Sequence, residues 1–305
     1  MSLASITFWQ VCILFVLIFT GVLCARMGIF SAEAKSVLSN MLVYLIMPAM
    51  ALNSYLADYD PEISKNIFRA FSYSIALNAV GIALTFLLNR DKSSPKMPIC
   101  RLACIFSNAG YMGYPLVQAL YGTEGLMYAS AYVTLFNILL WTVGVRLMNR
   151  QHAGGEAGRI LKNPVIWAVA LGLVIYYMRI PVPQLVRAPL KYIGDMNTPI
   201  SMMITGMLLA ESNVSGILRD AMLWRTVAVR LLIIPAVCVA AFFALGIRDM
   251  AAQVTMLQEA CPCAAITSVF AVQFHYDEGF AGGLVVVSTL LSIITLPLCA
   301  LLLTM

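Results

Sequence analysis

Glu259 is an ionisable side chain inside an otherwise apolar segment of this sequence. It lies in the run QEACPC (258–263), within a candidate membrane span at 250–273. An acid inside a span is costly and is by default a functional hypothesis. Glu259 could accept a coupling proton, or bind Na+ together with the side-chain oxygens of Ser107 and Asn108. The alternative, which the sequence leaves open, is that Glu259 caps a helix or pairs with another group inside the bundle.

A second segment, SNAGYMGYP (107–115), is poor material for an uninterrupted helix because it holds an asparagine, two glycines and a proline. Pro115 has no N–H, and its ring clashes with the carbonyl four residues back, near Tyr111. Pro262 interrupts the Glu259 segment in the same way. Two broken helices would expose half-helix N-termini, which suit a carboxylate. The alternative is two proline kinks that only shape packing.

These breaks define the candidate site residues. The predicted substrate positions at the breaks are Asn108, Tyr111, Pro115, Pro262 and Cys263. The predicted cation-binding or coupling positions are Ser107, Asn108, Ser130, Thr134, Gln258 and Glu259. Ser130 and Thr134 are included because their i,i+4 spacing puts both hydroxyls on one helix face.

Cys261-Pro262-Cys263 resembles the soft-metal site of copper-pumping P-type ATPases, but the resemblance covers three residues only. The sequence has no phosphorylated-aspartate motif and no Walker A motif, and the role of the two cysteines stays open. It also lacks the motifs of intramembrane enzymes, so we predict no enzymatic activity. We predict no cofactor and no metal beyond Na+, with Na+ or H+ as the coupling ion.

The composition indicates a membrane protein. Of the 305 residues, 61% are hydrophobic and 11% are charged, whereas a soluble domain carries roughly 25% charged residues. No basic run interleaved with aromatic residues is present, which argues against nucleic acid as a partner. The eight cysteines lie mostly in apolar stretches and are expected to be buried thiols. The N-terminus lacks the features of a signal peptide, so its apolar run is expected to be a retained span.

Hydropathy predicts ten membrane spans. They run approximately 6–25, 34–56, 66–89, 98–121, 125–148, 163–179, 188–210, 218–245, 250–273 and 280–304. Of the 19 Lys and Arg residues, twelve fall on one side and six on the other, with Arg230 left inside a span. The richer side should be cytoplasmic, which puts both termini outside. We predict a five-helix repeat at 1–148, a cytoplasmic linker at 149–162 and a second, inverted five-helix repeat at 163–305.

An ordered set of motifs resembles the auxin efflux carrier family, which includes plant auxin exporters and many bacterial permeases. The motifs are LIMPA (45–49), residues 107–116, Phe136-Asn137 with Trp141, Asn163-Pro164, Arg230-Leu231-Leu232 with Pro235, and Thr295-Leu296-Pro297. The short central loop is typical of a prokaryotic permease. The Cys-Pro-Cys sequence departs from the family pattern.

The resemblance implies an all-α membrane fold of ten helices in a 5+5 inverted repeat, related to sodium–bile acid symporters, with broken helices 4 and 9 that cross. Helices 1, 2, 6 and 7 would form a scaffold and a homodimer surface, and helices 3–5 and 8–10 a transport domain that moves as an elevator. Asn108, Pro115, Asn137 and Pro262 would line the substrate site.

The resemblance further implies that Ser107, Asn108 and Glu259 occupy sodium-binding positions. The predicted function is secondary transport of a small organic anion across the bacterial cytoplasmic membrane. An anion-binding receptor or a passive channel is the alternative.

Overall fold

The computed structural model describes residues 3–30, 32–90, 94–148, 163–211 and 217–303, and within these ranges the fold is helical throughout. The predicted linker at 149–162 lies outside the described residues. The α-helices are α1 (Leu3–Arg26), α2 (Ala32–Met41), α3 (Met47–Ser54), α4 (Pro61–Leu88), α5 (Met97–Ile105), α6 (Tyr114–Leu139), α7 (Val145–Met148), α8 (Pro164–Tyr177), α9 (Gln184–Asp195), α10 (Asn197–Glu211), α11 (Ala221–Ala228), α12 (Ile234–Ala244), α13 (Met250–Ala260), α14 (Ile266–Gln273) and α15 (Glu278–Leu303). The all-helical prediction is confirmed.

Six helical segments of the described residues are long and apolar enough to cross a bilayer, and α8 is a shorter apolar helix. These segments are Ser5–Arg26, Ala34–Ser54, Pro61–Leu88, Ala109–Met148, Ala221–Ala244 and Glu278–Leu303. Large apolar side chains such as Trp9, Phe68 and Leu185 are exposed on the outside of the bundle. Such a surface suits lipid rather than water. The chain is a multi-pass membrane protein.

The 40-residue segment Ala109–Met148 turns back on itself at Gly122. As one straight helix it would be about 60 Å long, twice the thickness of a bilayer core. Gly122 has φ 60° and ψ −148°, a conformation that glycine adopts without strain. The Tyr114 hydroxyl lies 3.3 Å from Ser130 Oγ, which is possible only if the two halves of α6 lie side by side. The predicted boundary between spans, at 121–125, falls at this turn.

Three prolines follow a widened turn of π-helix. Pro48, Pro115 and Pro235 each stand second in an α-helix, directly after a five-residue π segment. In each case the N–H of the residue before proline donates to the carbonyl five residues back. Proline removes one N–H and its ring displaces the carbonyl four residues back, so the preceding turn widens. These three π segments are Leu42–Ile46, Ala109–Gly113 and Val229–Ile233, and a fourth, Leu140–Gly144, forms without a proline.

The helices pack in two sets, which extensive contacts between α1 and α15 connect. In the first set α1 packs on α10, and α3 packs on α8 and α9; in the second, α4, α6 and α13 pack on one another and α14 packs on α15. Glycines bring α1 and α10 together: a Cβ on Gly206 would stand 2.1 Å from the Ile18 carbonyl oxygen. Such close backbone contact is typical of helix interfaces in membranes. The hydrophobic effect does not drive helices together in lipid, and small residues allow close van der Waals packing instead.

Charged residues gather at one end of the bundle. Lys96 Nζ lies 2.7 Å from Asp220 Oδ2 and 3.8 Å from Asp277 Oδ2. Asp220 also caps α11, because its Oδ1 accepts from the N–H of Met222 at 2.8 Å. Arg101 donates from Nε and Nη2 to the carbonyl of Asn89, at the C-terminus of α4, where a cation is favourable.

Two substitutions at Asp220 separate its charge from its cap. Asp220→Asn keeps an oxygen that can cap α11 but removes the ion pair with Lys96. Because these side chains are 27% and 33% exposed and are screened by solvent, we expect a cost of at most about 1 kcal/mol. Asp220→Ala also removes the cap, which adds about 1 kcal/mol. Denaturant unfolding in mixed micelles measures both costs, and equal costs for the two variants would contradict the capping role.

The ion pair has a defined pH dependence. The hydrogen bond from Lys96 lowers the pKa of Asp220. The folded pKa is below the unfolded one, so the stabilisation is present above the ordinary value of about 3.9 and is lost as the pH falls through the lowered value. The stability difference between wild type and Asp220→Asn should therefore close in strong acid. A difference that persists there would contradict this assignment.

Candidate functional site

The two helix breaks predicted from the sequence meet each other. Between α5 and the π segment Ala109–Gly113, and between α13 and α14, the chain is extended, and Ser107 and Cys263 form an antiparallel bridge. The N–H of Asn108 donates to the Pro262 carbonyl at 2.7 Å, and the N–H of Ala264 donates to the Phe106 carbonyl at 2.9 Å. Each break thus supplies partners for the backbone groups that the other leaves free, as a lipid environment requires. We call this region the crossing: residues 106–108 and 261–265.

A fully buried ion pair lies against the crossing. Arg230 Nη1 is 3.0 Å from Glu259 Oε1, and both side chains are 0% exposed. Arg230 also donates from Nε to the Cys261 carbonyl at 3.1 Å and from Nη1 to the Cys104 carbonyl at 2.9 Å. One guanidinium therefore connects the end of α5, the end of α13 and the acid of α13. Of the readings that the sequence left open, this geometry shows Glu259 paired inside the bundle.

Two hydroxyls extend the ion pair to the first break. The Tyr132 hydroxyl donates to Glu259 Oε2 at 2.5 Å, and Ser107 Oγ lies 3.2 Å from the same hydroxyl. Tyr132 has one proton, which it gives to the carboxylate, so Ser107 must be the donor to Tyr132. The resulting chain of hydrogen bonds runs from Ser107 through Tyr132 to Glu259 and Arg230. Ser107 and Glu259, predicted as neighbours, are joined through one intervening residue.

Amide groups without partners lie beside this network. Among the described residues, Asn108 Nδ2 and both amide atoms of Gln258 are buried and make no hydrogen bond. Gln258 lies over the backbone of Gly113, since a Cβ on Gly113 would stand 1.7 Å from Gln258 Oε1. Arg230 Nη2 is also buried without a partner. Buried polar groups are almost always hydrogen-bonded, so these atoms are candidates for ligand contacts.

Tyr111 and Pro115 have linked roles. Pro115 cannot donate to the carbonyl of Tyr111, four residues back, and that carbonyl accepts instead from Ser201 Oγ of α10 at 3.0 Å. Gly110, next to Tyr111, approaches Met47: a Cβ there would stand 2.7 Å from its methyl carbon. The freed carbonyl that the sequence predicted is therefore satisfied by a hydroxyl from the other set of helices.

The remaining predicted residues make local hydrogen bonds. Ser130 Oγ donates to the Leu126 carbonyl and Thr134 Oγ1 to the Ser130 carbonyl, each four residues back in α6. Asn137 donates to the Val133 carbonyl, and its Oδ1 accepts from Asn163 Nδ2 at 2.8 Å. These hydrogen bonds connect Asn137 to the cap of α8 rather than to the crossing. The N–H of Cys263 donates to Ser288 Oγ at 3.1 Å, which fixes the second break against α15.

Arg230 and Tyr132 are the residues that site prediction from sequence missed. Arg230 was noticed only as a charge inside a span, although the rule that singled out Glu259 applies equally to a buried base. An acid and a base, each within an apolar span, have a strong physical reason to pair. That signal was available. Tyr132 gave no such signal, because tyrosine is common in membrane helices.

Comparisons with known proteins identify the family to which this chain belongs. A family model described as "Membrane transport protein", the auxin efflux carrier family, matches residues 6–160 and 156–300. The chain belongs to this family. An uncharacterized transporter of Methanothermobacter thermautotrophicus is 26% identical over 288 residues, which covers 93% of this chain and 94% of the relative. The resemblance inferred from the motifs is confirmed.

Two further relatives are more distant. An uncharacterized transporter of Methanocaldococcus jannaschii is 24% identical over 313 residues, covering 94% of this chain and 96% of the relative. A protein of Rhizobium meliloti named "Putative malonate transporter" is 24% identical over 294 residues, covering 92% of this chain and 91% of the relative. All three similarities extend over nearly the whole chain.

A double-mutant cycle tests the ion pair. Arg230→Met and Glu259→Gln should each cost about 3–5 kcal/mol of unfolding free energy, because each leaves a buried charge without its partner. The double variant should cost clearly less than the sum of the two. Denaturant unfolding in mixed micelles measures the cycle, with Arg225→Met, an exposed arginine on the preceding turns, as the control. Additive costs would show that the two side chains do not interact.

Substitution of Gly113 tests the close approach of Gln258. In Gly113→Ala the new methyl group overlaps the Gln258 amide, so we expect a loss of about 1–3 kcal/mol from overpacking. Gly110→Ala meets only the flexible end of Met47 and should cost less. Removal of the amide in Gly113→Ala/Gln258→Ala should recover part of the loss. Equal costs at the two glycines, with no recovery, would contradict the packing.

Proposed function

We propose that this membrane transporter carries a small organic anion, a mono- or dicarboxylate, by secondary transport. The observation that carries the proposal is the pair of helix breaks at the crossing, with unpartnered amide donors beside them. Broken helices in the middle of a membrane are typical of the binding sites of secondary transporters. The family match establishes membrane transport, and the solute is our inference from the chemistry of the crossing.

The local chemistry favours a negative ligand. Half-helix N-termini, at the π segment Ala109–Gly113 and at α14, bring positive dipole ends. Asn108 Nδ2 and the Gln258 amide add side-chain donors without partners. Because the charges of Arg230 and Glu259 compensate each other, the ion pair adds no net charge that would repel an anion from these donors. A carboxylate could accept from several of them at once.

The relative named as a malonate transporter makes malonate the first probe. Malonate carries two carboxylates on one methylene, and the crossing has two half-helix N-termini. We propose that Asn108, Tyr111, Pro115, Asn137, Pro262 and Cys263 surround the substrate. Asn137 would join them only after its hydrogen bond to Asn163 opens.

We propose a ten-span architecture in two inverted repeats, with an elevator motion between two sets of helices. The scaffold would comprise α1, α2–α3, α8 and α9–α10, and the transport domain the remaining helices. The two packing sets of the fold support this division, and the extensive contacts between α1 and α15 are the ones that the motion would have to change. Sliding would have to break the hydrogen bond from Ser201 Oγ to the Tyr111 carbonyl, because it joins the two sets at the crossing.

The setting in the membrane is part of the same proposal. We propose that the protein lies in a bacterial cytoplasmic membrane with both termini outside, and that it forms a homodimer through the scaffold helices. Lys96, Arg101 and Arg225 lie together at one end of the bundle, as the predicted charge asymmetry requires. Na+ or H+ coupling stays a prediction.

Counterflow of labelled malonate in proteoliposomes tests the function. Vesicles preloaded with unlabelled malonate should take up label faster than empty ones, since a carrier returns faster when loaded. Binding without counterflow would indicate a receptor, and uptake that neither saturates nor responds to internal malonate would indicate a channel. Either result would overturn the proposal for this solute class, and a panel of mono- and dicarboxylates extends the test beyond malonate.

Substitution at the unpartnered amides tests the site. Asn108→Ala and Gln258→Ala should each raise KM roughly tenfold or more, because a hydrogen bond to a charged ligand contributes about 1.5–3 kcal/mol. The matched control is Asn66→Ala, which removes a buried amide that bonds Arg69 instead. Its KM should stay near the wild-type value. An unchanged KM in both crossing variants would place the substrate elsewhere.

A further inference from the structure

The partners of the Arg230 guanidinium are those that a metal cation would take. They are the backbone carbonyls of Cys104 and Cys261, at 2.9 and 3.1 Å, and the Glu259 carboxylate, at 3.0 Å. In secondary transporters with broken helices, freed carbonyls at half-helix C-termini coordinate the coupling cation. Here all three oxygens accept from one arginine side chain.

The electrostatics of this position call for a positive charge. Cys104 lies in the last turn of α5, and Cys261 ends α13, so two negative helix ends converge on the acid. The site is completely buried, since Arg230 and Glu259 are both 0% exposed. Water cannot balance the charge of the carboxylate there, which favours a bound cation beside it.

A local distortion of its helix positions Arg230 at the ion-pair site. Arg230 lies in the π segment Val229–Ile233, whose widened turn is followed by Pro235. Its side chain reaches both helix breaks from outside them, and its Nε and Nη1 are both used. The guanidinium is therefore held by three oxygens from two separate helices.

We propose that Arg230 is a tethered cation that occupies the position of a dissociable coupling ion, so that transport through the crossing requires no Na+. Glu259 is then a structural counter-ion, and Ser107 and Tyr132 complete its hydrogen bonds. This inference rests on the proposed transport function, but its binding part can be tested without any substrate.

The first test uses the wild-type chain. Its thermal unfolding in detergent should shift equally in NaCl and in choline chloride, since no metal site is available. Malonate uptake into proteoliposomes should change less than about twofold when Na+ replaces choline. A coupling ion that contributes about 1.4 kcal/mol to substrate binding would change the affinity about tenfold. Saturable stabilisation by Na+, or uptake that requires Na+, would overturn the proposal. If no carboxylate is transported in either salt, the proposed function fails while the unfolding result still stands.

The second test removes the Arg230 guanidinium. Arg230→Ala leaves the three oxygens without a cation, so we expect its unfolding temperature to rise saturably with Na+ or with millimolar guanidinium, but not with choline. Arg230→Ala/Glu259→Gln lacks the carboxylate and should lose this response. Arg225→Ala, on the same helix, should behave as wild type in all salts.

The outcomes separate a cation position from ordinary packing. Rescue of Arg230→Ala by Na+ or guanidinium, lost with Glu259→Gln, supports the tethered cation. Equal responses of Arg230→Ala to all three salts would overturn it. If Arg230→Ala does not fold in any salt, Arg230→Lys replaces it: its ammonium keeps the charge, so it should fold without Na+, and a strict requirement for Na+ there would also overturn the proposal.

Discussion

The ion pair between Arg230 and Glu259 is the interaction on which the centre of this molecule depends. Moving either charge out of water costs several kcal/mol, and the cost is offset only when the geometry is good and other hydrogen bonds satisfy the remaining atoms. Here the Cys104 and Cys261 carbonyls and the Tyr132 hydroxyl supply most of those bonds, and Arg230 Nη2 is left without a partner. The pair therefore holds the ends of α5 and α13 at fixed positions.

The two breaks lie together because the backbone N–H and C=O groups of each need hydrogen-bond partners. An extended segment inside a membrane must find protein partners, and each break is the nearest source of partners for the other. The bridge between Ser107 and Cys263 achieves this with few hydrogen bonds. Carbonyls freed by the prolines need other hydrogen-bond donors, and Ser201 Oγ donates to that of Tyr111. The irregular backbone at the crossing is thus stable without being rigidly helical, which suits a ligand site.

Local chemistry made much of this predictable from the sequence. Pro262 lies in the second break, and Pro115 lies beyond the first, where the turn before it widens into the π segment Ala109–Gly113. Both effects follow from proline, which removes a donor and clashes with the preceding turn of a helix. The span boundary predicted at 121–125 falls at Gly122, whose conformation glycine adopts without strain. The family motifs then placed the two breaks in one fold, and the family match confirms that resemblance.

The partners of each side chain were not predictable in the same way, because they depend on tertiary packing. Glu259 was recognised as a buried acid, but its two partners come from two other helical segments, and no spacing in the sequence connects it to Arg230 or Tyr132. Asn137 shows the same limit. Its position in a family motif suggests a substrate contact, whereas its amide pairs with Asn163 in this arrangement of the helices.

The central claim is that a carboxylate binds at the crossing, and an experimental structure of the full chain in lipid with a transported carboxylate tests it most directly. The account predicts ligand density within hydrogen-bond distance of Asn108 Nδ2 and the Gln258 amide, with Arg230 still bound to Glu259. Ligand density away from both amides, or a metal ion in place of the Arg230 guanidinium, would contradict it.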